Sequence, residues 1–198
     1  MFLILCIPYV KNRLGQILLP QPKFKKLTIL VTTILFALTS LLIPASIQLA
    51  FQLFFFTGLI GLALIDLQTH TLPNSLTLPL ILIGLFASFA GFTIPIKDAL
   101  TGASVGYIGF YLVGLIYQIL TRRMGIGYGD MKLAAALGSW MGWQSLPHII
   151  LFASVAAAIA GIVLLVFKMR KAHQYLPFGP YLVFFAIVIQ LLRLATPI

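Results

Sequence analysis

Acidic residues are almost absent. The 198 residues include three, Asp66, Asp98 and Asp130, and no glutamate. Charged residues of both signs make up 8% of the chain, against about 25% in an ordinary soluble domain. A chain this poor in charge cannot cover a water-facing surface, so a soluble globular class is excluded. Cysteine is nearly missing as well. A lone Cys6 rules out an internal disulfide and any CxxC zinc or redox motif, and Cys6 itself reads as a small apolar filler. No repeat, low-complexity run or linker is visible. Nor do aromatic residues alternate with Arg or Lys in a polar segment, so nucleic acid is not an expected partner despite the net charge of +10.

What fills the chain is apolar. Hydrophobic residues make up 61%, and the mean hydropathy is +1.11. These are values for a multi-pass protein in a lipid bilayer. Apolar runs recur at about residues 27–46, 48–66, 76–94, 99–120, 131–146, 147–167 and 176–194. The expected fold is therefore an all-α membrane protein, a polytopic bundle of about seven transmembrane helices. Residues 1–26 form a short N-terminal segment. Its charges follow its apolar stretch and no small-residue cleavage site is evident, unlike a signal peptide. The stretch is also too short to span, since a crossing needs ~20 residues. It reads as interfacial or as a truncated leader into the first span, with one membrane-embedded domain over residues 27–198.

Basic residues orient the spans. With Lys23, Lys25 and Lys26 on the cytoplasmic side, the Arg122/Arg123 and Lys168–Lys171 loops fall there too. Of the thirteen basic residues, only Lys97 and Arg193 lie opposite, as the positive-inside rule expects for seven crossings with the N-terminus inside. The small residues Gly102 and Gly106, and Ala153, Ala157 and Gly161, fall at spacings that let helices pack closely in lipid.

The acids then stand out. On this topology Asp66 closes the second run and Asp130 opens the fifth, both at cytoplasmic helix ends and at one depth. Each has a plain reading: Asp66 as an interfacial turn residue, Asp130 as an N-cap before an apolar helix. Asp98 sits on the other face beside Lys97 and reads as a helix-start acid. Two carboxylates at one depth also suit an aspartic dyad, in which one ionised group activates water and its protonated partner donates to a carbonyl. Ion sites and proton relays use paired aspartates too, so a small proton- or ion-coupled transporter stays open at this point.

The surroundings of the two aspartates resemble a known family. GYGDMKL at 127–133 and DLQTHTLPNSLTLPL at 66–80 are similar to the paired motifs of the type IV prepilin peptidases, the GxGD membrane aspartic proteases. DALTGASVGY at 98–107, KLAAALGSWMGW at 132–143 and LPFGPYLV at 176–183 resemble that family's framework, so the likeness covers about residues 50–185. The resemblance implies that Asp66 and Asp130 are the catalytic pair and that no metal or other cofactor takes part. It implies an enzyme of the bacterial inner membrane whose site faces the cytoplasm. Its substrates would be type IV prepilins or pseudopilins of pilus or type II secretion systems, cut after a glycine, between the basic leader and the hydrophobic helix.

Longer family members carry an N-terminal insert with two CxxC pairs, associated with methylation of the new pilin N-terminus. That insert has no counterpart here, which puts methyltransferase activity and a zinc site in question. A naturally short peptidase, a truncated and catalytically impaired homologue, and a piece of a longer chain all fit that gap. The sequence sets no oligomeric state.

Around the pair, Gly127 and Gly129 are expected to allow positive φ and close backbone approach beside Asp130. Lys132 is read either as an interface anchor or as a charge acting on the dyad. Pro73 and Asn74 are expected to shape a turn. His70 reads as a loop residue, and His148 and His173 as interfacial. Trp140 and Trp143 are expected in the aromatic belt of the outer face.

Overall fold

A computed structural model of the protein describes residues 22–43, 46–122, 127–167 and 177–196. The expectations for residues 1–21, including Cys6, and for Arg123, Lys168–Lys171 and His173 lie outside them. Seven helices follow in order: α1 (Pro22–Leu42), α2 (Ile47–Thr69), α3 (Asn74–Phe89), α4 (Ile96–Thr121), α5 (Tyr128–Met141), α6 (Leu146–Val166) and α7 (Gly179–Ala195). No strand occurs among the described residues. Each expected apolar run forms a helix, and the chain has the composition and helices of an integral membrane protein.

Length divides these helices. Three of them, α2, α4 and α6, are long and apolar enough to cross a bilayer. Segments 30–42 of α1, α3 and α7 are apolar but shorter. Helix α5 has 14 residues, about 21 Å of rise against a hydrocarbon core of about 30 Å. Seven apolar runs therefore do not by themselves give seven crossings.

The short helix is the most enclosed. Every residue of α5 from Leu133 to Met141 is buried, and α4, α3, α7 and α6 pack around it. Glycine permits this closeness. A methyl group added at Gly102 or Gly106 of α4 would collide with the Gly138 or Ala134 carbonyl of α5. The spacing of these two glycines thus matches a backbone-to-backbone helix contact. On α6, Ala153 is fully buried, whereas the space around Gly161 is open.

Trp140 departs from its expected place in the outer belt. It is 1% exposed in the core, stacked on Phe55 with ring centroids 4.7 Å apart. Its indole N–H donates to the Leu80 carbonyl at 2.8 Å, which meets the requirement that a buried indole find an acceptor. Pro79 and the small Gly84 lie on the same helix, α3, and Gly84 leaves room for the ring. A tryptophan near the end of an apolar run fits both a belt and a core position, and tertiary packing chose the core. Trp143 and His148 are exposed.

The far end of α5 is closed by a residue that the sequence pattern does not single out. Arg193 of α7 donates to the Met141 carbonyl at 2.6 Å and to Ser145 Oγ at 2.9 Å. A cation on the terminal carbonyls suits the negative end of a helix dipole. Asp98 lies at this same end, in the first turn of α4. A methyl group added at Gly142 would stand 3.7 Å from Asp98 Cβ. Asp98 is thus remote from Asp130 at the other end of α5.

Candidate active site at the start of α5

Asp66 lies in the last turn of α2, and its side chain is 5% exposed. The turn closes at His70, whose N–H donates to the Asp66 carbonyl at 2.9 Å. His70 takes the left-handed conformation, φ 51° and ψ 30°, one that histidine tolerates better than most side chains. Thr69 and Thr71 share a 2.9 Å hydroxyl contact across the same turn. The chain then passes Leu72 and re-enters a helix after Pro73, the N-cap residue of α3.

The Asp66 carboxylate is held by another helix. Its Oδ2 accepts the N–H of Gly179 at 3.1 Å. Gly179 is the first residue of α7, so this N–H has no partner within its own helix. A methyl at Gly179 would stand 2.6 Å from Asp66 Oδ2. Only glycine fits there without moving the carboxylate. LPFGPYLV resembles family framework in the sequence, but nothing in its local pattern says which atom Gly179 meets.

Asp130 lies in the first turn of α5 and is half-buried. It does not cap that helix. The N-cap residue is Gly127, no side chain caps it, and Asp130 is instead the third helical residue, its N–H donating to the Gly127 carbonyl at 3.1 Å. A carboxylate in a first turn still benefits from the positive helix end.

The two flanking glycines meet only part of the expectation: neither takes positive φ. Gly127 has φ −72° and ψ 140°, open to any residue, and Gly129 is not among the glycines with positive φ. Close approach is needed at Gly129 alone, where a methyl would meet Leu72 Cβ at 2.9 Å. At Gly127 a methyl would lie 3.7 Å from Asp130 Oδ2, an ordinary contact.

Two contacts stitch the paired motifs together. Leu72 packs on Gly129, and Lys132 Nζ donates to Asn74 Oδ1 at 2.6 Å. The Lys132 ammonium thus ties the start of α5 to the start of α3, a role outside both the anchor and the dyad-charge readings. Asn74 likewise does more than shape a turn.

Asp66 and Asp130 line one cavity of about 270 Å³. His70, Tyr128, Lys132 and Phe178 complete much of its wall. Among the described residues no three His, Cys, Asp or Glu side chains form a group that would hold a metal. The arrangement puts two carboxylates around a space large enough for a peptide bond and a water. Its wall is mixed: Leu72 is buried, whereas His70, Thr71 and Tyr128 are exposed.

Residues 53–162 match the model of the type IV leader peptidase family. The chain is 44% identical over 124 residues to a prepilin leader peptidase/N-methyltransferase of Aeromonas salmonicida (strain A449). It is 43% identical over 125 residues to one from Stutzerimonas stutzeri, and 42% over 125 residues to one from Pseudomonas aeruginosa. Each match takes in 63% of this chain, but spans only 43% of the relative's length. No solved structure matches the chain. The family model covers more than half of the 198 residues, including both Asp66 and Asp130: the chain belongs to the type IV leader peptidase family.

Proposed function

We propose that the protein is an aspartic endopeptidase that hydrolyses one peptide bond of a type IV prepilin or pseudopilin, with Asp66 and Asp130 as its catalytic pair. The observation that carries this reading is the shared cavity: two of the chain's three acids, from helices distant in sequence, face one space. The ionised carboxylate takes a proton from water while its protonated partner donates to the scissile carbonyl oxygen. The water oxygen bonds to the carbonyl carbon. The tetrahedral intermediate then collapses: the leaving nitrogen takes a proton from the pair as the C–N bond breaks, and a hydroxyl of the intermediate returns one to the pair as the carbonyl re-forms. A carboxylate already holding a backbone N–H, as Asp66 does, is fixed in orientation for this step.

The substrate follows from the relatives' names and from the motif resemblance. The same reading places seven crossings in the bacterial inner membrane, with the site at the cytoplasmic face. The bias of basic residues to the side of Lys23–Lys26 supports that orientation. The reading is restricted to the peptidase reaction. These residues hold one cysteine and no CxxC pair, the feature linked by resemblance to methylation.

The test is cleavage of a prepilin by the full chain in lipid vesicles, with Asp130→Asn as control. Processing by the unaltered chain that the control loses supports the reading. An uncleaved prepilin, beside one that a full-length relative processes, identifies a catalytically impaired homologue. Prepilin-independent ion flux would favour transport instead.

A further inference from the structure

A second cavity begins where the first ends. It measures about 490 Å³, within the range of about 300–1,000 Å³ typical of ligand clefts. Gly109 and Val113 of α4 form one wall, Ile150 and Ser154 of α6 the other. Asp130 and Phe178 line both cavities, so this carboxylate stands on the boundary between a polar space and an apolar one. Val113 is exposed, which leaves the apolar space open to the surroundings of the bundle between α4 and α6.

Gly109 keeps this space open. Gly102 and Gly106, earlier on the same helix, are filled by the backbone of α5, yet a methyl at Gly109 would meet nothing within 4 Å. Helix packing therefore does not account for this third glycine. A larger side chain there would project into the cavity that Asp130 also lines.

We propose that this groove is the apolar subsite of the reaction, holding an apolar stretch of the substrate chain immediately beside the cleaved bond, and that Gly109 sets its width. The proposal rests on the peptidase reading and deepens it. A bond cut at Asp130 lies between surroundings of opposite polarity, so the chain bearing it changes from polar to apolar at that point. An acyl chain has the apolar part but no amide continuing into the polar cavity. A peptide segment entering sideways from the bilayer has both.

The experiment uses a synthetic peptide with a basic segment, a glycine and an apolar segment carrying a diazirine-labelled leucine. It is mixed with the full chain in phosphatidylethanolamine/phosphatidylglycerol vesicles and irradiated. Labelling is mapped by mass spectrometry on the Asp130→Asn protein, and cleavage is measured on the unaltered protein. Labels within residues 105–113 and 146–154 are expected. Gly109→Leu should lose most of that labelling. It should also raise KM by about tenfold, the effect of one large apolar side chain losing its burial. With kcat nearly unchanged, that pattern marks lost binding rather than lost chemistry. Gly161→Leu, which also projects into open space but lines neither cavity, controls for added bulk and should change neither readout.

Labels confined to other helices overturn the proposal, as does a Gly109→Leu protein with unaltered KM and labelling. A diazirine phospholipid that labels the groove and is not displaced by the peptide assigns the space to lipid and also overturns it. Groove labelling without cleavage removes the peptidase reading but keeps the subsite. Cleavage without groove labelling does the reverse.

Discussion

Asp66 and Asp130 face one cavity but are held differently. Asp66 is buried at the end of a long helix and bound by the N–H of Gly179, with no space for even a methyl beside it. Asp130 is half-buried at the start of a short helix, no side chain caps that helix start, and the carboxylate borders a second cavity. One carboxylate is locked by tertiary contact, whereas the other borders open space. That difference suits a pair in which one member keeps its orientation while the other follows the scissile bond.

The largest expected effect treats the two alike. Asp66→Asn and Asp130→Asn should each lower cleavage by about 10³-fold or more, the scale of a lost acid–base group. The double variant should be no worse than either single one, because members of one catalytic unit are not additive. A double variant that multiplies the losses would show two independent roles. Lengthening the side chains should then separate them. Asp66→Glu has no room and is expected to lose about 100-fold in kcat, the cost of misplacing a reacting group by about 1 Å. Asp130→Glu, with open space nearby, should lose about tenfold less. Equal losses would erase the contrast between locked and free.

The neighbouring glycines test the same contrast more gently. Gly179→Ala pushes on Asp66 Oδ2 and should lower kcat by about 10- to 100-fold. Gly127→Ala makes only an ordinary contact with Asp130 and should cost about threefold or less. The smallest effect is expected at the Lys132–Asn74 tether. Lys132→Met and Asn74→Ala should each lower stability by under about 1 kcal/mol, because the contact is exposed. Thermal unfolding in detergent of the two single variants and the double would reveal the coupling.

Much of the fold is legible in the sequence because membrane helices announce themselves by apolar length. Each of the seven runs forms a helix, and Gly102 and Gly106 meet a partner backbone as their spacing implies. Trp140 defies its expected place because an aromatic residue at the end of an apolar run satisfies two environments equally. Gly127 and Gly129 meet their expectation only in part, for a related reason: glycine marks either unusual φ or close approach, and only the folded backbone shows that Gly129 serves the second. Gly179 and Arg193 carry no local signal, because each acts on a residue more than fifty positions away, where no helical period reaches.

The sequence by itself determined the solvent, the helices and the two acids, because burial of apolar runs in lipid and the scarcity of charge are properties of composition and order. Only the tertiary structure decided which backbone N–H holds Asp66, that Asp130 stands third in its helix and caps nothing, and that an apolar groove opens beside it. Those facts depend on distances between α2, α4, α5, α6 and α7. Such distances are set by how side chains of different sizes, and glycines without them, fill space together.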